Sequence, residues 1–420
     1  MTTQKIQRKA QIILFGILLQ GCQIDPFEAI RENDIKSIRS LLDQDSTWVR
    51  PMHRDNCPRG ELPKTTLLIT ATEFGRYAIA DLLLKRGAPI NGRNNEARTA
   101  LHAAAWRGDL DMVKLLHSAG ADLEAWDDDV YTPLHKAASN GKLHIVRYLH
   151  INGANIQTRS EIGTMPIHDA AENGHLSVVR YCCDQGVSPA IPDEDEGWTP
   201  IHYATMGSHA AVVQYLYNRG ASCEATDAGG FTPIHIAACI GKLTMIQHLY
   251  RMGGSITRAD QGGKTPLDRA ASGGYLSVVT WLVNHDAPLE PLDAKGWTPL
   301  HTAVSHGHLT TVQYLCECGA SPEIADNCGF TPLHIAATHG YLTIVQCLCE
   351  HGASKDVVDQ RGYTPINRAT ENGHLSVVMW LSSNGANLHT PNKAGQMPVD
   401  VAIRKGHQEI VKYLMRPEDK

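Results

Sequence analysis

No two of the eleven cysteines form a Cys-x-x-Cys pair, so the common zinc-knuckle and thioredoxin-type spacings are absent. An odd count also fits poorly with a fully paired disulfide framework, and a reducing compartment is the easier reading. The chain lacks a basic surplus. Its 38 Lys and Arg are outnumbered by 44 Asp and Glu, a net charge of −6 with His neutral, which argues against a nucleic-acid binder. A P-loop, a Gly-x-Gly-x-x-Gly turn between strand and helix, His-Glu-x-x-His and Gly-x-Ser-x-Gly are all missing. Their absence argues against an enzyme and leaves no place for a cofactor. What remains is an ordinary soluble composition, 42% hydrophobic and 20% charged, over 420 residues.

What the chain does have is a period. A Thr-Pro-Leu-His-like tetrad begins at Thr99, Thr132, Met165, Thr199, Thr232, Thr265, Thr298, Thr331, Thr364 and Met397, in steps of 33 residues with a single step of 34 before Thr199. Thr66-Leu67-Leu68-Ile69 continues the series backwards. Ile24-Asp25-Pro26-Phe27, followed by Ala29 and Leu41-Leu42, is a weaker first copy. These are repeats 1 to 12 in chain order. About nine extra residues around Trp48–Lys64 separate the first from the second.

Each repeat has the same local logic, shown here for repeat 10. Thr331 before Pro332 starts a helix, because the hydroxyl caps free N–H groups and Pro is tolerated in the first turn. Leu333, Ala336 and Ala337 share one face of it, and Gly340 ends it as a left-handed cap. A second helix carries Leu342, Ile344, Val345, Leu348 and Cys349 as its apolar stripe and ends at Gly352. The polar stretch Ser354–Gly362 then predicts an extended, hairpin-like loop. Neither helix is long enough to be stable alone, so the repeats must stack to bury their apolar faces.

The TPLH tetrads, Ala-Ala pairs, Gly-His steps, Ile/Val-Val-x-x-Leu stripes and Gly-Ala ends resemble those of the ankyrin repeat family, from Ile24 to about Met415. The resemblance implies an all-α solenoid of stacked helix-turn-helix repeats with hairpin fingers over residues 24–415. It also implies a non-enzymatic scaffold that binds a protein partner on its concave face. The tetrad position holds His102, His135, His168, His202, His235, His301 and His334. Another five histidines follow the inter-helix Gly or its equivalent: His175, His209, His308, His374 and His407. In the family the tetrad His is structural. Successive tetrad histidines also lie one stack step apart, roughly 10 Å, too far to share a zinc ion. Cys182, Cys183, Cys316 and Cys349 take the place of buried leucines, while Cys239 and Cys328 are the candidates for exposed thiols.

Such stacks bind partners through their fingers and the exposed face of the first helix. The residue just before the tetrad is aromatic at Tyr131, Trp198, Phe231, Trp297, Phe330 and Tyr363. These rings suit an interface and equally suit packing against the next finger. The finger Trp126-Asp127-Asp128-Asp129 is acidic, as is Asp193-Glu194-Asp195-Glu196, which also carries the inserted residue. Asp128, Asp129, Glu194 and Asp195 are therefore candidate contacts for a basic segment of a partner, against the plainer reading of solvated tips. Trp106 and Arg107 end a first helix and complete the candidate surface.

Residues 1–23 stand outside the pattern. Lys5, Arg8 and Lys9 precede the apolar run Ile12–Leu19, and Leu19-Gln20-Gly21-Cys22 resembles a bacterial lipobox. The run is too short to span a bilayer. One reading is a cleaved export signal with Cys22 lipidated, which puts the stack on a membrane or cell envelope and suggests a bacterial effector or lipoprotein. The other is an apolar helix that caps repeat 1 of a cytoplasmic protein. The charged residues 416–420 form a short tail.

Overall fold

The structure is a computed structural model that describes residues 25–49 and 66–415. The segment 1–23 with Cys22, most of the extra residues between repeats 1 and 2, and the tail 416–420 lie outside the described residues. Among the described residues there are twenty-four α-helices, a 3-10 turn at Ser46–Val49 and no strand. The helices come in twelve pairs, one per repeat, and the chain divides after Ala221 into two compact bodies. This is the all-α repeat solenoid that the periodicity predicts. No helix among the described residues is long and apolar enough to cross a membrane.

Repeat 10 shows how the letters become structure. Its helices are Pro332–His339 and Leu342–Glu350. Leu333, Ala336 and Ala337 are fully buried, as are Val345 and Leu348. Small alanines let first helices approach one another, while the second helices meet through their aliphatic stripes. A fully buried aliphatic side chain contributes about 1.5–3 kcal/mol, which is how neighbours stabilise helices this short. Gly340 has φ +74° and ends the first helix as expected. A Cβ there would also lie 2.5 Å from Nδ1 of His374, so both the backbone angle and the neighbour exclude a side chain.

One expectation for this helix is corrected. Cys347 is buried at 5% exposure, whereas Cys349 is half-buried. The second helix turns Cys347 toward the neighbouring repeat, close enough to Cys316 for the two thiols to influence each other. Burial pushes the Cys182 and Cys316 thiols up to about 12, so they act as apolar groups. Cys328 is exposed and Cys239 half-buried.

The tetrad histidines do two jobs at once. Nδ1 of His102 accepts from the Thr99 backbone N–H at 3.1 Å, which fixes the start of the first helix. Nε2 then carries the proton and donates to the Tyr131 carbonyl of the next finger at 2.9 Å. The same second bond runs from His135 to Thr164, His235 to Lys264, His301 to Phe330 and His334 to Tyr363. His168 bonds the Ile191 carbonyl, 23 residues on, instead. The Gly-His imidazoles bond in the other direction. Nε2 of His175, His308, His374 and His407 donates to a carbonyl 36 residues earlier, at the end of the preceding repeat's first helix.

Repeats 8, 11 and 12 depart from this rule. Asn367 keeps a long bond, 3.5 Å, to the Thr390 carbonyl. Asp400 caps the last repeat by accepting from the Met397 N–H. Asp268 accepts from Thr265 through Oδ2, but its buried Oδ1 has no partner.

These commitments set a pH dependence. Burial holds His102, His135 and His168 down to about 4, and it lowers His235, His301 and His334 as well. In the unfolded chain imidazoles titrate near about 6.5. As pH falls the unfolded chain takes up these protons first. The stability is therefore complete above about 6.5 and is lost between about 6.5 and about 4. Asp268, raised to about 6 by burial, and Asp169 and Glu73, also raised by burial, run the opposite way, three groups against six. The melting temperature, followed by circular dichroism, should fall steeply across that window. At its lower end each of the three most depressed histidines should account for about 3 kcal/mol, and His135→Gln should flatten the slope. A melting temperature that stays level from about pH 7 to about pH 4 would contradict the assignment of buried neutral imidazoles.

Candidate interaction surface

The fingers are built on an aspartate that the sequence reading treats as surface charge. Asp127 and Asp193, expected as part of the acidic tips, are buried at 5% and 6% exposure. The reason is that each folds its finger. Asp127 Oδ1 accepts from the Tyr131 N–H, and its own N–H donates to the Tyr131 carbonyl. In the longer finger, Asp193 Oδ1 accepts from three successive N–H groups, those of Glu196, Gly197 and Trp198. Asp260, Asp293, Asp326 and Asp359 repeat the arrangement.

The second oxygen of this aspartate meets the residue just after the tetrad. Lys136 reaches Asp127 Oδ2 at 2.7 Å, and the Tyr203 hydroxyl donates to Asp193 Oδ2 at 2.7 Å. Arg269 pairs with Asp260, and Arg368 pairs with Asp359. The sequence signal is an Asp nine residues before a cation. It is easily missed because the tetrad lies between them.

This network decides where the finger aromatics go. Tyr131, Trp198, Phe231, Trp297 and Phe330 are half-buried rather than exposed. Tyr363, expected on the binding face, is buried at 7%. Where a tetrad imidazole follows, the ring packs against it, edge-on for Tyr131 on His135 at 5.3 Å, tilted for Phe330 on His334 at 5.8 Å and stacked for Trp297 on His301 at 6.3 Å. Cations cover their faces. Lys136 lies 4.5 Å from the Tyr131 centroid and Arg269 lies 4.2 Å from that of Phe231. Arg368 lies between Phe330 and Tyr363, at 4.6 and 4.5 Å, and also pairs with Glu371. Arg404 donates to the Tyr363 hydroxyl. The Trp297 indole N–H donates to Asp326 of the next finger.

Other candidates do face solvent. Trp106 and Trp126 are each 56% exposed. Trp106 and Arg107 line a cavity of about 440 Å³ formed by repeats 2 to 4, together with Ile69, Glu73, Arg98 and Lys136. Arg107 is anchored there by a 2.6 Å bond to the Glu73 carbonyl. Asp128, Asp129, Glu194 and Asp195 are exposed at finger tips, and so are three further carboxylates, Glu96, Glu161 and Glu196. Backbone bonds link successive tips, from the Asp128 N–H to the Glu96 carbonyl and from the Glu161 N–H to the Asp129 carbonyl. In the body beyond Ala221 the corresponding tip positions carry Lys295, Arg361 and Lys393 and no acidic residue.

Repeat 5 inverts the usual chemistry. Ser160 replaces the finger aspartate, and Asp169 stands where Lys136, Arg269 and Arg368 stand elsewhere. Asp169 is buried at 6% exposure, and its Oδ2 has no hydrogen-bond partner.

The sequence model described as "Ankyrin repeats (3 copies)" matches residues 27–127, 134–227, 220–293, 287–359 and 351–420. A second, described as "Ankyrin repeats (many copies)", matches residues 107–150. No curated protein matches the chain.

The geometry separates packing aromatics from surface aromatics. Phe330→Ala should destabilise the protein by about 2 kcal/mol, because it strips one face from the buried Arg368 ion pair. Trp106→Ala should change stability by less than about 0.5 kcal/mol. The midpoints of urea unfolding test both. Equal, small effects would mean that the finger rings are not part of the core.

Proposed function

Because the chain belongs to the ankyrin repeat family, whose repeats are general protein–protein interaction modules, we propose that it is a non-catalytic scaffold. It holds a partner protein against the concave face made by first helices and fingers, and the finger tips of repeats 3 to 6 take a basic segment of that partner. The observation that carries this reading is the row of seven exposed carboxylates Glu96, Asp128, Asp129, Glu161, Glu194, Asp195 and Glu196, with no basic residue among the tips. Glu96 pairs with Arg98 and Glu194 with Arg159, while the other five make no ion pair among the described residues. Exposed charges of one sign in a row raise the association rate of an oppositely charged segment and fix its register more than they add affinity. Trp126, next to the finger base Asp127, and Trp106, at the end of the first helix of repeat 3, add exposed indoles, the kind of ring that anchors interfaces.

Reversing four tips together, Asp128→Lys, Asp129→Lys, Glu194→Lys and Asp195→Lys, should weaken binding of a nona-lysine peptide at least about tenfold at low salt. The helical signal should stay unchanged. Undiminished binding by the reversed protein would remove the acidic tips from the function.

A second reading concerns where the scaffold works. The Leu19-Gln20-Gly21-Cys22 segment behind Lys5, Arg8 and Lys9 supports an envelope-anchored or secreted bacterial protein that uses the same face on envelope or host targets. In a bacterial host, a labelled fatty acid should mark the full chain and not its Cys22→Ser variant. Labelling of both or of neither would leave a cytoplasmic scaffold.

A further inference from the structure

Three repeats supply their own cation to the inner wall of the finger. Lys136, Arg269 and Arg368 sit just after the tetrad, pair with the finger aspartate and cover a finger ring at 4.2 to 4.6 Å. Repeat 5 has no such cation of its own, and Thr164 stands at its finger-ring position. Asp169 occupies the cation's position, Ser160 that of the aspartate. Around Asp169 lie Glu172 on the same helix, Lys136 from repeat 4, Tyr131 from the finger before, Tyr203 from repeat 6 and Cys182 from its own second helix. Glu172 is exposed and one turn on, so the two carboxylates run from the surface inward along one helix face. Among the described residues Lys136 is the cation that acts on Asp169, and it is bound to Asp127.

We infer that repeat 5 is an anchor subsite for an arginine side chain of the partner, with Asp169 and Glu172 as its carboxylates and Tyr131 and Tyr203 as the flanking rings. The inference rests on the basic-partner reading and locates its most specific contact. Asp169 supports it independently of the tip charges. A carboxylate with 6% exposure and an unpartnered oxygen is costly to keep unless something completes it. Arginine suits the place better than lysine, because a planar guanidinium bonds a carboxylate in two places and stacks on aromatic rings. In the other repeats the protein's own Arg269 and Arg368 do this.

The burial of Asp169, and then the charge of Glu172, hold its carboxyl well above the usual range, against the opposing pull of Lys136. An entering guanidinium reverses that balance. The carboxylic acid loses its proton to solvent, and the carboxylate forms an ion pair with the guanidinium. Binding should therefore release protons and tighten as pH rises.

The experiment is calorimetric titration of the full chain with nona-arginine and with nona-lysine, in buffers of different ionisation heat from about pH 5 to about pH 8. The wild type should bind nona-arginine more tightly and release protons in doing so. Asp169→Asn should keep its fold, abolish the proton release and weaken nona-arginine binding about tenfold. Glu172→Gln, a change at an exposed residue, should weaken it less. If Asp169→Asn binds with unchanged affinity and unchanged proton release, the subsite is overturned, and the acidic-tip reading survives provided tip reversal still weakens both peptides. If neither change weakens binding, both readings fall.

Discussion

A buried imidazole with both nitrogens committed is the joint on which this molecule depends. Nδ1 fixes the start of one helix by accepting a backbone N–H, and that choice forces the proton onto Nε2, where it can only donate. The acceptor is a carbonyl in the next finger, at 2.9 Å for His102 and 3.0 Å for His334. Local helix initiation and the coupling of neighbours thus become one event. A repeat whose helices are too short to persist alone is ordered by the bond that orders the next. The Gly-His imidazoles reach back 36 residues and complete the coupling from the other side. Burial makes both groups of bonds firm, and it also makes the tetrad imidazoles sensitive to acid.

With the frame carried by backbone atoms and imidazoles, the finger tips are free to vary. Their sole fixed duty is performed by the buried aspartate at the finger base, which folds the turn and takes the cation after the tetrad. The charged tip residues that follow it face water, and their charge can change without touching the frame. That separation explains why residues adjacent in sequence, Asp127 and Asp128, have different roles. One is structural at 5% exposure and the other is exposed. It also explains why acidic tips gather in repeats 3 to 6 without disturbing the stack. The backbone bonds between successive tips use no side chain.

The parts legible in the sequence are those that recur at fixed spacing within one repeat. Thr331-Pro332, the alanine pair and Gly340 each act within a few residues, so their structural meaning survives in a short window. The fate of the finger rings does not. Whether Phe330 faces water depends on Arg368, which lies 38 residues later and comes near only because the next repeat stacks on the first. Tyr363 is buried for the same reason, with Arg368 beneath it and Arg404 on its hydroxyl. The buried role of Asp127 and Asp193 was hidden by their company, since they stand among solvated acids of the same type. The Cys347 and Cys349 reversal has another origin. The apolar stripe of a nine-residue helix leaves its edges unassigned, and the neighbouring second helix decides which edge is covered.

Two carboxylates break the pattern, and they break different bonds. Asp268 replaces a tetrad imidazole. It keeps the cap on Thr265 but loses the donor to the next finger, so its orphaned Oδ1 marks a weaker joint inside the frame. Asp169 replaces a cation after the tetrad, where His168 still makes its bond to the Ile191 carbonyl. The frame at repeat 5 is therefore intact, and nothing in the coupling of repeats requires an acid there. A buried carboxyl with an unpartnered oxygen that serves neither the helix cap nor the joint reduces stability with no structural return. That is the ground for assigning it a role in binding. Asp169 lies near two tyrosines and Glu172, a carboxylate-and-ring setting of the general kind in which Arg269 meets Asp260 and Phe231, and Arg368 meets Asp359, Phe330 and Tyr363.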